Sequence, residues 1–205
     1  MLPFGAILAG GRNTRYGDLK AFARVGGRPI IERVVTALGS VTPDIILIAH
    51  DESYAVLGLP MRPDRVPGLG ALGGLYTALH WAADERRPGI IALACDMPFV
   101  SSALLCTLLE LADAQPAPDV VVPESEGPRA LEPLCAYYSV RCQSAIEQAL
   151  ARSDVRMVGF HDDVLVKRVP LAEVRSFGDP AHLFLNVNSP EARAQAEQIA
   201  HQLDT

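Results

Sequence analysis

Three short apolar runs, at residues 5–8, 45–48 and 90–94, are apolar on both alternating faces. A strand of that kind must be covered on both sides. That is the situation in α/β proteins, whose largely parallel sheets carry helices above and below. The segments between the runs have helical period. Ile30, Ile31, Val34, Val35 and Leu38 trace one face after Pro29, with Gly39 as a stop. Leu72, Leu75, Tyr76 and Leu79 recur at i, i+3, i+4 and i+7. Leu104, Leu105, Leu108 and Leu109 form a third such face, with Ser101 or Ser102 as its cap. Further strands are expected at residues 120–122, 134–138, 164–169 and 183–185, and a helix at 140–151. A last helix is expected to open at Ser189-Pro190-Glu191, with Ala196, Ile199, Ala200 and Leu203 as its apolar stripe. The 205 residues are enough for one core that buries about 70% of the extended surface. One domain, with no linker or repeat, is the expectation.

The first apolar run leads straight into Leu8-Ala9-Gly10-Gly11-Arg12-Asn13-Thr14-Arg15-Tyr16-Gly17-Asp18-Leu19-Lys20. Glycines at a strand end let backbone N–H groups approach a phosphate, and Arg15 and Lys20 can neutralise its oxygens. Open α/β sheets bind ligands at the carboxyl ends of their strands, where this loop falls. The spacing is not that of a P-loop. Gly68-Leu69-Gly70-Ala71-Leu72-Gly73 matches the dinucleotide fingerprint by letter. It follows no clear strand, however, and the acid expected about 20 residues on falls within a buried run.

Two further segments sit where chemistry would. Cys95-Asp96-Met97-Pro98 puts an acid immediately after a buried strand. Such an acid either caps the next turn or holds a divalent cation. Asn186-Val187-Asn188-Ser189-Pro190-Glu191 reads first as helix capping, and its two asparagines can also bind a polar substrate.

Other chemistries are disfavoured. With 18 basic and 24 acidic residues and a net charge of −6, the chain lacks the basic field of a general nucleic-acid binder. Cys95, Cys106, Cys135 and Cys142 form no C-x-x-C pair and are expected to be free, buried thiols. The five histidines have no metal-ligand spacing, and no nucleophile elbow is present. No apolar run is long enough to span a bilayer, and the N-terminus does not read as a signal peptide, so a cytoplasmic protein is expected.

The run from Leu8 to Lys20 resembles the L-A-G-G-x-x-x-R-x-G-x-x-K signature of nucleotidyltransferases that include the sugar-nucleotide pyrophosphorylases. Cys95-Asp96-Met97-Pro98-Phe99 is similar to the C-D-x-P-[FY] segment of their molybdenum cofactor branch. Gly70-Ala71-Leu72-Gly73-Gly74-Leu75 is similar to that branch's G-P-L-x-G loop, with Ala71 in place of proline, and residues 186–191 match its N-[VI]-N-[ST]-P-[ED] close. The four motifs in order resemble the MobA-type molybdenum cofactor guanylyltransferases.

The resemblance implies a three-layer α/β/α domain over 1–205, with a mostly parallel, Rossmann-like sheet of the nucleotide-diphospho-sugar transferase type. Its N-terminal half would bind GTP and its C-terminal half the molybdopterin cofactor. It implies nucleotide contacts from Leu8, Ala9, Gly10, Gly11, Lys20, Asp64 and Asp96, with Mg²⁺ on Asp96 and Arg15 and Lys20 as charge stabilisers. Asn186, Asn188 and, more loosely, Arg156 fall on the pterin side. The family's asparagine near the end of the second strand is replaced by Ile48. The implied reaction is GMP transfer to the loaded pterin, for delivery to recipient molybdoenzymes. The alternative is a relative that uses CTP, or a sugar or other phosphate acceptor.

Overall fold

A computed structural model describes residues 1–10, 20–127 and 130–203. A seven-stranded sheet runs through the molecule. Its strands are β1 (Phe4–Leu8), β4 (Ile45–Ile48), β5 (Met61–Arg62), β6 (Gly89–Ala94), β7 (Val120–Pro123), β8 (Cys135–Ser139) and β9 (Val166–Val169). Their order is β5-β4-β1-β6-β8-β7-β9, with β8 running antiparallel to both neighbours and the other pairings parallel. Two further strands, β2 (Arg24–Val25) and β3 (Arg28–Pro29), form a separate hairpin. Gly26 and Gly27 turn it at φ of 55° and 74°, the left-handed region that a two-residue hairpin turn requires and glycine supplies.

The helices cover both faces, as the doubly apolar strands demand. Ile7, Leu47, Ile91 and Leu93 point into a core with α1 (Ile30–Gly39) and α3 (Ser102–Ala112). Their neighbours Ala6, Leu8, Ile46, Ile48, Ile90 and Ala92 point into the opposite core, under α2 (Gly70–Asp84) and α4 (Cys142–Ala151). This period of two is what a continuous apolar run becomes when both sides are buried. The short helices α5 (Leu171–Val174) and α6 (Pro180–Leu183) follow, then α7 (Pro190–Leu203). Ala196 and Ala200 of α7 pack on Val25, Ile30 and Val187 in a third cluster. No helix among the described residues is long and apolar enough to cross a membrane.

Several expectations are corrected. Residues 183–185 are not a strand. Asp179 accepts from the Ala181 N–H at 2.9 Å and Pro180 takes the first helical position, so Leu183 is buried by the turn of α6. Ser101 is the cap residue of α3, but its side chain makes no capping hydrogen bond. Ser189 does cap α7, accepting from the Ala192 N–H at 3.2 Å. Leu203, expected in the apolar stripe, is 69% exposed at the chain's end. Cys95, Cys135 and Cys142 are free and buried, whereas Cys106 is free and exposed. Burial pushes the Cys95 and Cys142 thiols up to about 12, so neither is a thiolate at neutral pH.

One buried group makes the fold acid-sensitive. His161 lies in a 3-10 turn, His161–Asp163, against the edge of Phe160, and its buried Nε2 has no hydrogen-bond partner among the described residues. Burial first, then the charge of Arg168, lower its pKa from 6.5 to about 4. It is therefore neutral when folded, and below about pH 6.5 the unfolded chain binds a proton that the folded chain does not. Stability should fall as pH drops from about 6.5 to 4, by about 2 kcal/mol after allowing for partial exposure. Denaturation of His161→Gln across that window should show a flatter decline than the parent.

Candidate functional site

The carboxyl ends of β5, β4, β1 and β6 converge at one edge and are stitched together by backbone bonds. Ala49 N–H donates to Arg62 O at 3.1 Å, Ala9 N–H to Ile48 O at 2.9 Å, and Cys95 N–H to Leu8 O at 3.3 Å. Leu8, Ala9 and Gly10 thus leave the sheet beside the segment that carries Asp96. Gly11 and Arg15 lie outside the described residues, as does the side chain of Lys20. The Lys20 backbone begins a 3-10 turn, Lys20–Phe22.

Asp64 stands over this edge. A Cβ built on Gly10 would lie 3.5 Å from Asp64 Oδ2, and one on Gly74 would lie 3.7 Å from Asp64 Oδ1 and 3.5 Å from Leu8. The acid, the strand end and the first turns of α2 therefore meet at one point. The Asp64 side chain is only 9% exposed, and its buried Oδ1 has no hydrogen-bond partner among the described residues. Such an acceptor is costly unless a donor or cation reaches it. The loop is held by Thr77, which is buried in α2. Its hydroxyl accepts from the Arg65 N–H at 2.9 Å and donates to Gly73 O at 2.8 Å. Gly73 has no space for a side chain, with Leu69 Cβ at 3.0 Å and Val66 O at 3.3 Å from any Cβ placed there.

Residues 68–73 are the loop and first turn of α2, entered after the two-residue strand β5, with Gly68 and Gly70 at φ of 89° and 59°. Residues 63–67 separate β5 from Gly68, so the letter match to a dinucleotide fingerprint does not follow directly on a strand as that motif requires.

Asp96 follows β6 at the same edge, and its carbonyl accepts from the Val187 N–H at 2.9 Å. That bond brings residues 186–188 to the end of β6, though they are remote in sequence. The Asn186 amide donates to Phe184 O at 3.2 Å, and Asn188 is exposed. Arg156 lies in the loop after α4. It is forked to Asp154 at 2.9 and 2.6 Å, and this pairing pulls the Asp154 carboxyl down to about 2.

Ile48 ends β4 fully buried, packed toward Gly74, and offers the edge no polar group. Two residues further on, His50 does: its Nε2 lies 3.4 Å from Asp64 Oδ2. Buried Tyr54 braces the edge from below, its ring 5.4 Å from Phe22 and its hydroxyl 4.0 Å from Cys95 Sγ. No motif marks His50, Thr77 or Tyr54. His50 was open to the same rule that singled out Asp96, a polar residue just past a buried strand.

Among the described residues no group of three His, Cys, Asp or Glu side chains could hold a metal ion by itself. The edge instead offers two carboxylates, one with an unpartnered buried oxygen. That donor set fits Mg²⁺, which takes one or two carboxylates and completes its shell with water and substrate phosphate.

Residues 5–166 match the MobA-like NTP transferase domain. A relative from Pelotomaculum thermopropionicum, named "Probable molybdenum cofactor guanylyltransferase", is 35% identical over 197 residues, covering 96% of this chain and 92% of its own. The "Molybdenum cofactor guanylyltransferase" of Desulfosudis oleivorans is 31% identical over 195 residues, covering 94% and 93%. Among solved structures, "Molybdopterin-guanine dinucleotide biosynthesis protein A" from Archaeoglobus fulgidus shares the fold at a TM-score of 0.75, with 24% identity over 97% of this chain and 99% of that one.

Proposed function

The chain belongs to the MobA-like NTP transferase family and, within it, to the molybdenum cofactor guanylyltransferases; from that premise we propose that it transfers GMP from GTP to the molybdenum- or tungsten-loaded molybdopterin cofactor, releasing pyrophosphate. The terminal phosphate oxygen of the pterin attacks the α-phosphorus of GTP. A new P–O bond forms, the bond from the α-phosphorus to the β-bridging oxygen breaks, and its electron pair leaves on pyrophosphate. Such a transfer needs positioning and charge neutralisation more than covalent chemistry from the protein.

The observation that supports this reading most is the meeting of Gly10, Asp64 and Asp96 at one sheet edge. In it, Leu8, Ala9 and Gly10 give the nucleotide a close backbone approach, to which the family resemblance adds Gly11. Asp64 presents its carboxylate beside Gly10 to a nucleotide donor. Asp96 would hold Mg²⁺, which would neutralise phosphate charge as a Lewis acid. Arg15 and Lys20 carry positive charge to the triphosphate. Residues 186–188, bonded to Asp96 through Val187, orient the pterin through Asn186 and Asn188. Arg156 reaches the pterin only by exchanging its fork to Asp154. The division is a nucleotide half before a pterin half in one domain. The product passes to recipient molybdoenzymes. The free thiols suit a reducing compartment, so we assign the reaction to the cytoplasm.

Leu8-Ala9-Gly10-Gly11 favours guanine over cytosine by resemblance to the guanylyl branch. Purified protein with Mg²⁺ and loaded pterin should release pyrophosphate from GTP at least tenfold faster than from CTP, and should do so only when pterin is present. A CTP preference moves the chain to a cytidylyl activity. Strong turnover with a sugar phosphate moves it to the pyrophosphorylases.

A further inference from the structure

We infer that His50 is a positioning residue for nucleotide binding: its imidazole fixes the Asp64 carboxylate so that one oxygen stays turned to the bound nucleotide. This rests on the reading of Asp64 as a nucleotide acceptor and extends it to a residue outside every motif of the chain.

The geometry is specific. The two Asp64 oxygens have different surroundings. Oδ2 faces Gly10 and the His50 Nε2 at 3.4 Å, whereas Oδ1 is buried toward Gly74 without a partner. A carboxylate rotates about its last torsion in a broad, roughly two-fold well. A half-turn leaves equivalent oxygens in place, but smaller swings within that broad well tilt the acceptor away from a ligand beside Gly10. A group that engages one oxygen removes that freedom before the ligand arrives, which is how preorganisation raises affinity.

His50 is itself held. On one side of it, Ala49 N–H is bonded to Arg62 O at 3.1 Å. On the other, Asp51 caps the 3-10 turn Glu52–Leu57 by accepting from the Ser53 N–H at 2.9 Å, and Gly58 closes that turn at φ 64°. The imidazole is 52% exposed, so it contributes little to the core. Asp64, nearly enclosed and aligned by Thr77, is the group that it acts on.

Three variants test the idea: His50→Ala, His50→Gln and Asp64→Asn, together with the His50→Ala/Asp64→Asn double variant. His50→Ala should weaken GTP binding about tenfold by calorimetry and raise the KM for GTP to match, with kcat changed less than twofold and Tm unchanged. His50→Gln, which keeps a side-chain donor, should recover most of the affinity. In the double variant the His50 effect should vanish, because its partner can no longer be held as an anion. Unchanged GTP affinity in His50→Ala, an effect confined to kcat, or additive losses in the double variant would each overturn the inference. The two levels separate cleanly. A parent protein that binds GTP yet forms no product with loaded pterin refutes the proposed reaction and leaves the His50 effect on affinity readable. One that binds no GTP refutes both.

Discussion

Asp96→Asn should lower kcat for pyrophosphate release by a hundredfold or more while leaving Tm within about 2 °C of the parent. The side chain keeps its shape and loses the charge on which a divalent cation depends. Mg²⁺ removed by a chelator should abolish turnover in the parent, and its return should restore it. The loss is expected in kcat because an electrostatic group aimed at charge that grows in the transition state is worth about 10²–10³ in rate. Thermal melting checks that the bond from Val187 N–H to the Asp96 carbonyl, which belongs to the backbone, survives the substitution. Full activity in Asp96→Asn or Asp96→Ala would remove the metal assignment.

The second large effect is on stability. Gly89 opens β6 opposite Ser139 of β8. A Cβ there would run into the Tyr138 carbonyl oxygen and would lie 2.9 Å from Tyr137 Oη and 3.0 Å from Ser139 Cα. Two of these three atoms are backbone and cannot swing aside. Gly89→Ala should therefore cost about 3 kcal/mol through overpacking. For a chain of this size that lowers Tm by roughly 6–12 °C. Gly39→Ala is the matched control. It lies in the last turn of α1 with Ile45 Cδ1 at 3.9 Å as its nearest contact, and it should be neutral or gain about 0.5 kcal/mol from helix propensity. Chemical denaturation of the pair separates a steric effect from a general dislike of alanine at glycine sites.

The parts of the fold that were legible in sequence share one physical property. β1, β4 and β6 are covered on both sides, so their apolar runs have no competing explanation. Their ends place Gly10 and Asp96 at the edge by the rule for open parallel sheets. The two-residue strands β2, β3 and β5 are too short to show a period, although the Gly26-Gly27 pair was a hairpin signal in plain view. Leu183 and Phe184 are buried as expected, yet three apolar residues do not distinguish a strand from a helical turn. In the site, Asp64 was marked by the family resemblance, and Asp96 by its place just past a buried strand, a place His50 shares. Neither signal could show the contacts of Thr77 or His50, which exist only once the loop between β5 and α2 folds back on itself. The convergence of residues 186–188 on Asp96 depends likewise on a tertiary bond from Val187, to which the capping pattern of that segment gives no clue.

The interior position of β1 also bears on how the chain is made. β1 precedes both of its sheet neighbours, β4 and β6, along the chain. Phe4 finds its β6 partner only at Ile90. At about 5–20 residues per second, that partner is translated roughly 4–17 s later. Through that interval the β6-facing edge of an apolar strand waits for its partner, although β4 has already been made. Exposure of this kind is what holdase chaperones act on, so the yield of soluble enzyme should be governed more by how β1 is sheltered during synthesis than by the stability of the finished fold.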